Sequence, residues 1–439
     1  MGGTKYFCFF RVIIICCIIF YIPIDLYSAN PVFKSIDNEQ GLSHNWVRCI
    51  YQDNVGYMWF GTAGALNRYD GISCKVFNIG NRNVNDIVKK NNEEFWVCTD
   101  LGVYVFNTIT EKLTHLDILK NTSVLCIFQE TPNRIWFGAN DGYYVYDISK
   151  QAVEKFVLNK QDFTNKSNYV NIIYKDSEHN MWFGTKHGLH VIPSKTKEHI
   201  QFVKSYTNSI SNNEVYSIIE DANKRLWVGT LQGGLDVIAS VKNISKQVPF
   251  TQIAAESVMD ICIDAKQNIW FATGNGLGVF TLKDFEISKS KPTIQYYRNN
   301  PNNPQSISEN SIFSLYEDAN HDIWIGTLGS GVNMLSFRGK QFYTVQVSKG
   351  SSNTLISNIV NAIYEDSAYI WIGTEIGLDR YDKKTKQYVH FQHDNKNNSS
   401  LKSNAIFVIK KLSDGNLWIG TWSGGINIYN HYCPIKLQN

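Results

Sequence analysis

The stretch Met58-Trp59-Phe60-Gly61-Thr62 decides the fold, because close variants of it recur along the chain. Each copy flanks a tryptophan with hydrophobic residues, and most copies end in glycine and threonine. The nine tryptophans concerned are Trp59, Trp96, Trp136, Trp182, Trp227, Trp270, Trp324, Trp371 and Trp418. Copies that return roughly every 45 residues indicate a repeat architecture, in which each copy is one supersecondary unit.

The residues around each tryptophan predict a set of short β-strands. A run such as 360–366 opens with an aliphatic residue and closes with an aspartate, whose carboxylate suits a tight turn. After the tryptophan strand, a glycine-rich turn leads to a third strand, as at 377–382, and then to a fourth, as at 388–391. Four antiparallel strands per repeat predict an all-β chain of β-propeller blades, with the tryptophans filling the space between adjacent sheets.

Nine repeats exceed the roughly four to eight blades that usually form one ring, so we expect the chain to divide. Segment 32–36 stands where the fourth strand of a blade would stand, and it could complete the last blade of a ring. Segment 341–346 resembles the same device before the eighth repeat. We therefore predict a seven-bladed β-propeller at residues 30–338 and the first two blades of an incomplete second propeller at 339–439. Exposed sheet edges should make the second part the less stable one.

The first 29 residues differ in character from the rest. Lys5 and Arg11 precede an apolar run at 12–24, and the small residues at 27–29 offer a cleavage site. This pattern predicts a signal peptide and an exported, periplasmic protein. An uncleaved membrane anchor is the alternative, and the segment would then be the only part of the chain in contact with a membrane.

Composition and charge narrow the function classes. A hydrophobic content of 43% and a net charge of +3 indicate a folded chain without the dense basic surface that nucleic acid would require. The cysteines after residue 29 lack close Cys-x-x-Cys spacing, so no metal site is predicted and most of them are expected in the core. No catalytic motif or phosphate-binding loop occurs, so neither catalytic residues nor a cofactor are predicted. An active site assembled from separate blades would leave no such motif, and remains an alternative.

The loops at one face of a propeller are the expected place for a ligand. They comprise the connections into each first strand and the turns after each second strand, and rigid blades present variable side chains there. Trp46 and Trp422 are the tryptophans outside the nine repeat positions, and Arg82 replaces a recurrent asparagine. Either tryptophan could stack on a sugar or cap the core, and the polar residues could bind hydroxyls or face solvent. The candidate ligand-binding residues are His44, Trp46, Arg82, Asp100, His187, Glu375 and Trp422.

The ordered set Gly41-Leu42-Ser43, Val47-x-x-Ile50, Asp53, Met58-Trp59-Phe60-Gly61-Thr62 and Leu66-Asn67-Arg68-Tyr69-Asp70-Gly71 resembles the two-component regulator propeller repeat. The resemblance covers nearly all of residues 30–430. Proteins of that family form the periplasmic sensor region of hybrid two-component systems in Bacteroidota, where they sense glycan-derived oligosaccharides. Two seven-bladed rings are usually followed there by an immunoglobulin-like domain, a membrane helix, a histidine kinase, a receiver and a DNA-binding domain.

The resemblance implies a sensor module that binds an oligosaccharide and forms a homodimer, as its relatives do. The sequence stops at Asn439 within the ninth repeat and contains no kinase box, so we expect a fragment or a chain that lends its binding surface to another. Two alternatives stay open at this point. One is a propeller-type polysaccharide lyase or glycosidase, and the other is a scaffold for protein–protein contact.

Overall fold

A computed structural model describes residues 31–161, 166–205, 209–288, 291–336, 345–347, 352–413 and 415–430. The predicted export segment at 1–29 lies outside these residues, as does most of segment 341–346. The chain divides into two compact units, Met1–Phe337 and Arg338–Asn439, which we call unit 1 and unit 2.

β-Strands are the main elements of the described part of unit 1. Its strands are β1 Phe33–Ile36, β2 Val47–Gln52, β3 Met58–Tyr69, β4 Cys74–Lys89, β5 Glu94–Thr99, β6 Gly102–Asn107, β7 Lys112–Leu116, β8 Val124–Thr131, β9 Arg134–Ala139, β10 Gly142–Asp147, β11 Ala152–Phe156, β12 Val170–Lys175, β13 Met181–Thr185, β14 Gly188–Ile192, β15 Ile200–Phe202, β16 Val215–Glu220, β17 Leu226–Thr230, β18 Gly234–Ile238, β19 Phe250–Ala254, β20 Val258–Ile263, β21 Asn268–Thr273, β22 Gly276–Thr281, β23 Gln295–Tyr297, β24 Ile312–Glu317, β25 Ile323–Thr327 and β26 Val332–Leu335. Among the described residues of unit 1, the helical elements are the 3₁₀ turns Asn38–Gln40, Asp117–Leu119 and Lys166–Asn168, and the helix α1 Leu282–Ile287, which Thr281 caps through its side chain.

The strands pair as antiparallel blades. In the described part of unit 1, five sheets have four strands each, and one sheet has six. The six-stranded sheet joins two blades, because β3 continues from the second strand of the first blade into the third. In the same way, β4 runs from the fourth strand of the first blade into the first strand of the second. The predicted four-stranded blade is therefore confirmed, with its first two copies joined by continuous backbone.

The blades form a closed ring. The first strand of each blade, here called its inner strand, contacts the inner strands of the blades before and after it, and β2 contacts β24. The inner strands are β2, the part of β4 from Val84 onward, β8, β12, β16, β20 and β24. Each contains a β-bulge between its first and third residues. Seven blades therefore surround one central axis in unit 1.

The ring closes through the N-terminal strand. Strand β1 pairs antiparallel with β26, so that Phe33 lies opposite Leu335 and Ile36 opposite Val332. The last blade thus takes its outermost strand from the start of the chain, as the sequence predicts for segment 32–36. The side chains of Phe33 and Ile36 are both buried, so the closure is hydrophobic as well as hydrogen bonded.

The recurrent tryptophans form the core between blades. Trp59, Trp182 and Trp227 are fully buried, and each belongs to a cluster of aliphatic and aromatic residues from neighbouring sheets. Burial of apolar area at roughly 25 cal/mol per Å² makes these clusters the main stabilising contribution of the ring. The predicted structural role of the repeat tryptophans is confirmed.

Unit 2 contains two more blades of the same kind. Its strands are β27 Val360–Glu365, β28 Tyr369–Thr374, β29 Leu378–Asp382, β30 Tyr388–Phe391, β31 Ile406–Lys411, β32 Leu417–Thr421 and β33 Ile426–Tyr429. Strands β27 to β30 form a four-stranded sheet, and β31 to β33 form a three-stranded one. Trp371 is buried between them together with Leu401 and Ile406.

Candidate functional site

A cavity of about 500 Å³ lies at the centre of unit 1, lined by residues of all seven inner strands. We call it the channel. Each inner strand begins at the same face of the ring, here called the inlet face, so position along the strand corresponds to depth. At about 3.3 Å per residue, the fourth residue of a strand lies roughly 13 Å below the residue that precedes the strand.

The mouth of the channel is formed by Trp46, Tyr169 and Lys186. Trp46 and Tyr169 directly precede β2 and β12, whereas Lys186 directly follows β13. The backbone nitrogen of Lys186 donates to the carbonyl oxygen of Tyr169 at 3.3 Å. The ammonium group of Lys186 lies 3.6 Å from the centroid of the Tyr169 ring, within the range of a cation–π interaction.

Below the mouth, the guanidinium group of Arg48 lies between aromatic rings. Its carbon atom is 4.8 Å from the centroid of Trp46 and 5.5 Å from that of Phe313, and the two rings meet edge to face. The Nε of Arg48 donates to Oδ1 of Asn85 at 2.9 Å. Burial lowers the pKa of Arg48, although the charges of Cys49, Tyr169 and Asp100 oppose the effect. The guanidinium of Arg48 is thus held in place by Trp46, Phe313 and Asn85.

Two further features mark the upper channel as a polar and aromatic surface. Tyr216 lines the channel, and burial raises the pKa of its hydroxyl, with a smaller contribution from the charge of Glu214. The indole nitrogen of Trp46 is buried, and no acceptor among the described residues contacts it. A buried N–H group without a partner costs about 1–3 kcal/mol, so it favours an acceptor brought by another molecule.

The floor of the channel carries two carboxylates, Asp86 and Asp260, each the third residue of its inner strand. Asp86 accepts 2.8 Å hydrogen bonds from the backbone nitrogens of Ile87 and, on the next blade, Ile127. Asp260 accepts equivalent bonds from Ile261 and Leu315. Burial raises the pKa of Asp86 to about 6 and that of Asp260 to about 7. Both carboxylates link neighbouring blades and have their oxygens occupied by amides.

The structure places five of the predicted ligand residues in unit 1, and Trp46 is the one that lines the channel. His44 is exposed, and its Nδ1 accepts a hydrogen bond from the backbone nitrogen of Trp46 at 2.9 Å. Asp100 lies close enough to Arg48 to raise its pKa, and accepts a 3.4 Å bond from Asn83.

The remaining two of these five residues lie at the same face but outside the channel lining. Arg82 is half-buried in β4, where it pairs with Gly64 of β3. His187 is exposed next to Lys186, and its carbonyl oxygen accepts a 2.8 Å bond from Gln201. Neither has a contact that points to a ligand.

The other two predicted residues belong to unit 2. Glu375 is exposed and accepts a 3.3 Å hydrogen bond from the Ser357 hydroxyl. Trp422 is 76% exposed, and its ring lies 5.2 Å from that of Phe407. The seven predicted residues are therefore divided between two units rather than gathered at one site.

Several channel residues were missed by reasoning from the loops, namely Arg48, Asn85, Tyr169, Lys186, Tyr216 and Phe313. A signal was present for the four of them that lie within inner strands, because the second residue of the inner strand changes from blade to blade while the first stays aliphatic. Strand alternation directs the second residue away from the buried first one, which in a propeller means toward the axis.

Neither a metal centre nor a membrane span emerges from the described residues. Within them, His, Cys, Asp and Glu side chains do not gather in groups of three or more that could hold a metal ion. Cys98 and Cys126 are buried, whereas Cys49, Cys74 and Cys262 are partly buried, and all five are free thiols. Across the same residues, no helix has the length and apolar character needed to cross a bilayer.

Comparison with solved structures agrees with the propeller fold. The extracellular domain assigned to a hybrid two component system of B. thetaiotaomicron superposes with a TM-score of 0.62 at 23% identity, covering 92% of this chain and 54% of that domain. The chain therefore spans about half of that domain. Virginiamycin B lyase from Staphylococcus aureus superposes with a TM-score of 0.52 at 14% identity, covering 70% of this chain and 98% of the lyase. Likenesses at these identities show a shared fold.

Sequence comparison identifies the repeats. Histidine kinase P4 of Formosa agariphila is 26% identical over 200 residues, which are 44% of this chain and 14% of that protein. Segments matching the family model described as two component regulator propeller are 41–64, 166–187, 209–232, 306–329, 354–375 and 400–423. Together with the four-stranded blades, these matches show that six segments of the chain are repeats of the two component regulator propeller type.

Proposed function

We propose that this chain is an exported, periplasmic ligand-binding module of a two-component sensor, and that it binds a glycan-derived oligosaccharide at the mouth of the channel. The likeness to the extracellular domain of a hybrid two component system and the similarity to a histidine kinase support a sensory role. The proposed ligand class rests on the chemistry of the channel itself.

The observation that carries the proposal is the cluster of aromatic rings at the upper channel. Trp46 and Phe313 meet at 5.9 Å, and Tyr169 and Tyr216 also line the cavity. Aromatic faces suit the apolar faces of sugar rings, while adjacent polar groups bind hydroxyls. Asn85 and the unpartnered Trp46 indole nitrogen supply such polar groups next to the rings.

The candidate ligand-binding residues at the inlet face extend this surface. His44, Asp100 and His187 would contact parts of an oligosaccharide that project from the channel, and Arg82 would add a cation. Glu375 and Trp422 would belong to a separate contact made by unit 2. We propose that binding occurs without turnover, and that the site holds neither a metal nor a cofactor.

The proposal is tested by screening the purified chain on an array of oligosaccharides and then measuring affinities by calorimetry. Trp46→Ala should weaken binding at least about tenfold, since truncating a central tryptophan of a binding site typically removes 1.4 kcal/mol or more. Tyr57→Ala is the matched control. Tyr57 lies 4.7 Å under the guanidinium of Arg68, much as Trp46 lies under Arg48, but it is outside the channel.

Three results would count against the proposal. Absence of binding to every glycan would exclude an oligosaccharide sensor, and an equal loss in both variants would exclude the channel mouth. Release of shortened or unsaturated products from a bound glycan would favour the alternative function, a polysaccharide lyase or glycosidase. The propeller fold is also found in a lyase.

A further inference from the structure

The upper channel contains two cations and no carboxylate paired with either. Among the described residues, no acceptor contacts the terminal nitrogens of Arg48. Its Nε–H donates a hydrogen bond to Asn85. Lys186 likewise has no ion pair in this part of the chain, and its ammonium group rests on the ring of Tyr169. Most other buried or half-buried cations of unit 1 are paired, as in Arg68 with Glu111 and Arg225 with Asp221.

The groups around Arg48 leave its terminal N–H groups for a ligand. The rings of Trp46 and Phe313 lie beside the guanidinium, 4.8 and 5.5 Å from its carbon atom, and Asn85 accepts a hydrogen bond from the Nε–H. The remaining four N–H groups form the planar fork that matches two oxygens of a carboxylate or sulfate. Hydrogen bonds between such charged groups are about twice as strong as neutral ones, so a neutral hydroxyl would use this fork poorly.

The acidic groups near the channel do not neutralise these two cations. Some have both oxygens occupied by backbone amides, and the others form no ion pair with Arg48 or Lys186. Asp86 and Asp260 accept backbone amides with both oxygens and lie deeper than Arg48. Asp100 and Glu214 lie close enough to affect the pKa values of Arg48 and Tyr216 respectively, but neither forms an ion pair with Arg48 or Lys186. They add negative charge at the rim, which an anionic ligand would have to pass.

We propose that the channel selects an anionic oligosaccharide, whose carboxylate or sulfate group is held by the fork of Arg48 and contacted by the ammonium group of Lys186. This inference rests on the proposed function, since it names the charge class of the ligand that binds at the same mouth. Trp46 and Tyr169 then stack on the sugar ring that carries the anionic group, because both rings adjoin a cation.

The experiment uses an array with three sets of oligosaccharides. One set carries uronic acids, such as oligogalacturonides, a second carries sulfate on neutral sugars, such as carrageenan oligosaccharides, and a third is uncharged, such as cello- and xylo-oligosaccharides. We expect binding within the first two sets, and which of the two binds identifies the anionic group. The affinity should fall as NaCl is raised from about 0.05 to 0.5 M, because salt screens charge pairs.

Variants then assign the contact. Arg48→Gln should weaken binding of the anionic hit about 10- to 100-fold, and Arg48→Lys should recover part of the loss, since the charge returns without the fork. Arg134→Gln is the matched control, because Arg134 also stacks on a tryptophan but is exposed and paired with Glu130. Lys186→Gln is compared with Lys155→Gln, whose lysine lies over Tyr144 and pairs with Asp141. Thermal unfolding of each variant verifies that it is folded.

A further variant tests the rim. Asp100→Asn keeps a side chain that can hydrogen bond to the oligosaccharide but removes a like charge near Arg48, so it should strengthen binding of the anionic hit, and weaker binding would contradict this.

The outcomes separate this inference from the proposed function. Binding confined to uncharged oligosaccharides, or unchanged affinity in Arg48→Gln, overturns the anionic selectivity while leaving an oligosaccharide sensor intact. Absence of any glycan binding overturns both.

Discussion

The carboxylate of Asp53 accepts a 2.8 Å hydrogen bond from the indole nitrogen of Trp59, six residues further along the chain. The other oxygen of Asp53 accepts three backbone amides of the turn between them. The same acid-to-indole bond recurs in the pairs Glu130–Trp136, Asp176–Trp182, Asp221–Trp227, Asp264–Trp270 and Asp318–Trp324. In the aspartate pairs the same carboxylate also accepts backbone amides of the turn, so one acid holds both the turn and the core tryptophan of those blades.

Replacing one of these acids should destabilise the ring. We expect Asp318→Ala to lower the free energy of unfolding by about 2–3 kcal/mol, because it leaves a buried indole N–H and two turn amides without their acceptor. Urea unfolding followed by tryptophan fluorescence measures the change. Lys90→Ala is the control, since Lys90 occupies the equivalent position and the Trp96 indole nitrogen is already without a partner. A similar loss in both variants would contradict this role for the acid.

The glycine after the tryptophan is required by close packing. A Cβ at Gly229 would collide with Oγ of Ser217 and lie 2.7 Å from Cγ1 of Val258 on the next blade. We expect Gly229→Ala to destabilise by about 1–3 kcal/mol, as overpacking usually does. Ala272→Gly is the comparison variant. Ala272 occupies the position equivalent to Gly229 in the sixth blade, where the packing already accommodates a Cβ opposite Asp260. The idea fails if thermal unfolding shows Gly229→Ala to be as stable as the parent chain.

Stability should depend on pH through Asp260. Its pKa is raised from 3.8 to about 7, so between about pH 4 and 7 the folded chain keeps a proton that the unfolded chain has released. The free energy of unfolding should therefore fall as the pH rises through this window. Asp260→Asn should flatten the fall, whereas Asp117→Asn, at a highly exposed site, should not. Urea unfolding at several pH values provides the measurement, and an unchanged slope in Asp260→Asn would refute the assignment.

Closure of the ring should depend on the buried side chains of β1. Ile36 is 0% exposed and packs with Leu42, Val47 and Trp324. We expect Ile36→Ala to lower the free energy of unfolding by about 2–4 kcal/mol, as large-to-small core substitutions do. Ile109→Ala, at a residue 69% exposed, is the matched control and should change little. Chemical denaturation of both variants measures the change. An equal loss in the free energy of unfolding of the two variants would contradict this.

Unit 2 should be digested before unit 1. The fourth residue of its first inner strand, Ile363, is 66% exposed, whereas the equivalent Ile50 of unit 1 is 8% exposed. Phe407 and Val408 are also more than half exposed. Apolar residues without a covering blade contribute little stability, so limited proteolysis should remove unit 2 first and leave a fragment that ends near residue 337. Survival of unit 2 beyond unit 1 in mass spectra would contradict this.

The strands of the fold were predictable because the same order of aliphatic, turn and tryptophan residues recurs in each repeat. The expected fourth strand at 388–391 coincides with β30, and the aspartate expected to serve a turn does so in Asp53. The joining of two blades by β3 and β4 was not predictable, since glycine-rich segments such as Ala63-Gly64 read as turns but here stay in extended ladders with β4.

The candidate site was only partly predictable. Trp46 stood out because it lies outside the repeat positions, and it does line the channel. Arg48 was hidden by its position inside a strand, where a charged residue is readily taken for a solvent-facing one. Its environment of Trp46, Phe313 and Asn85 comes from three blades brought together by the ring, and spacing along the chain does not reveal such neighbours.

The pairing of β1 with β26 also has a consequence for biosynthesis. Phe33 and Leu335 are ladder partners although about 300 residues separate them. The chain emerges with Phe33 first and with Leu335 only at the end of the seventh blade, so early blades can pack in order while the last waits for its outer strand. Until head and tail meet, the nascent chain carries an unpaired edge strand and an open blade. Closure of unit 1 therefore requires a long-range docking step, and before that step the unpaired edges are open to pairing with other chains.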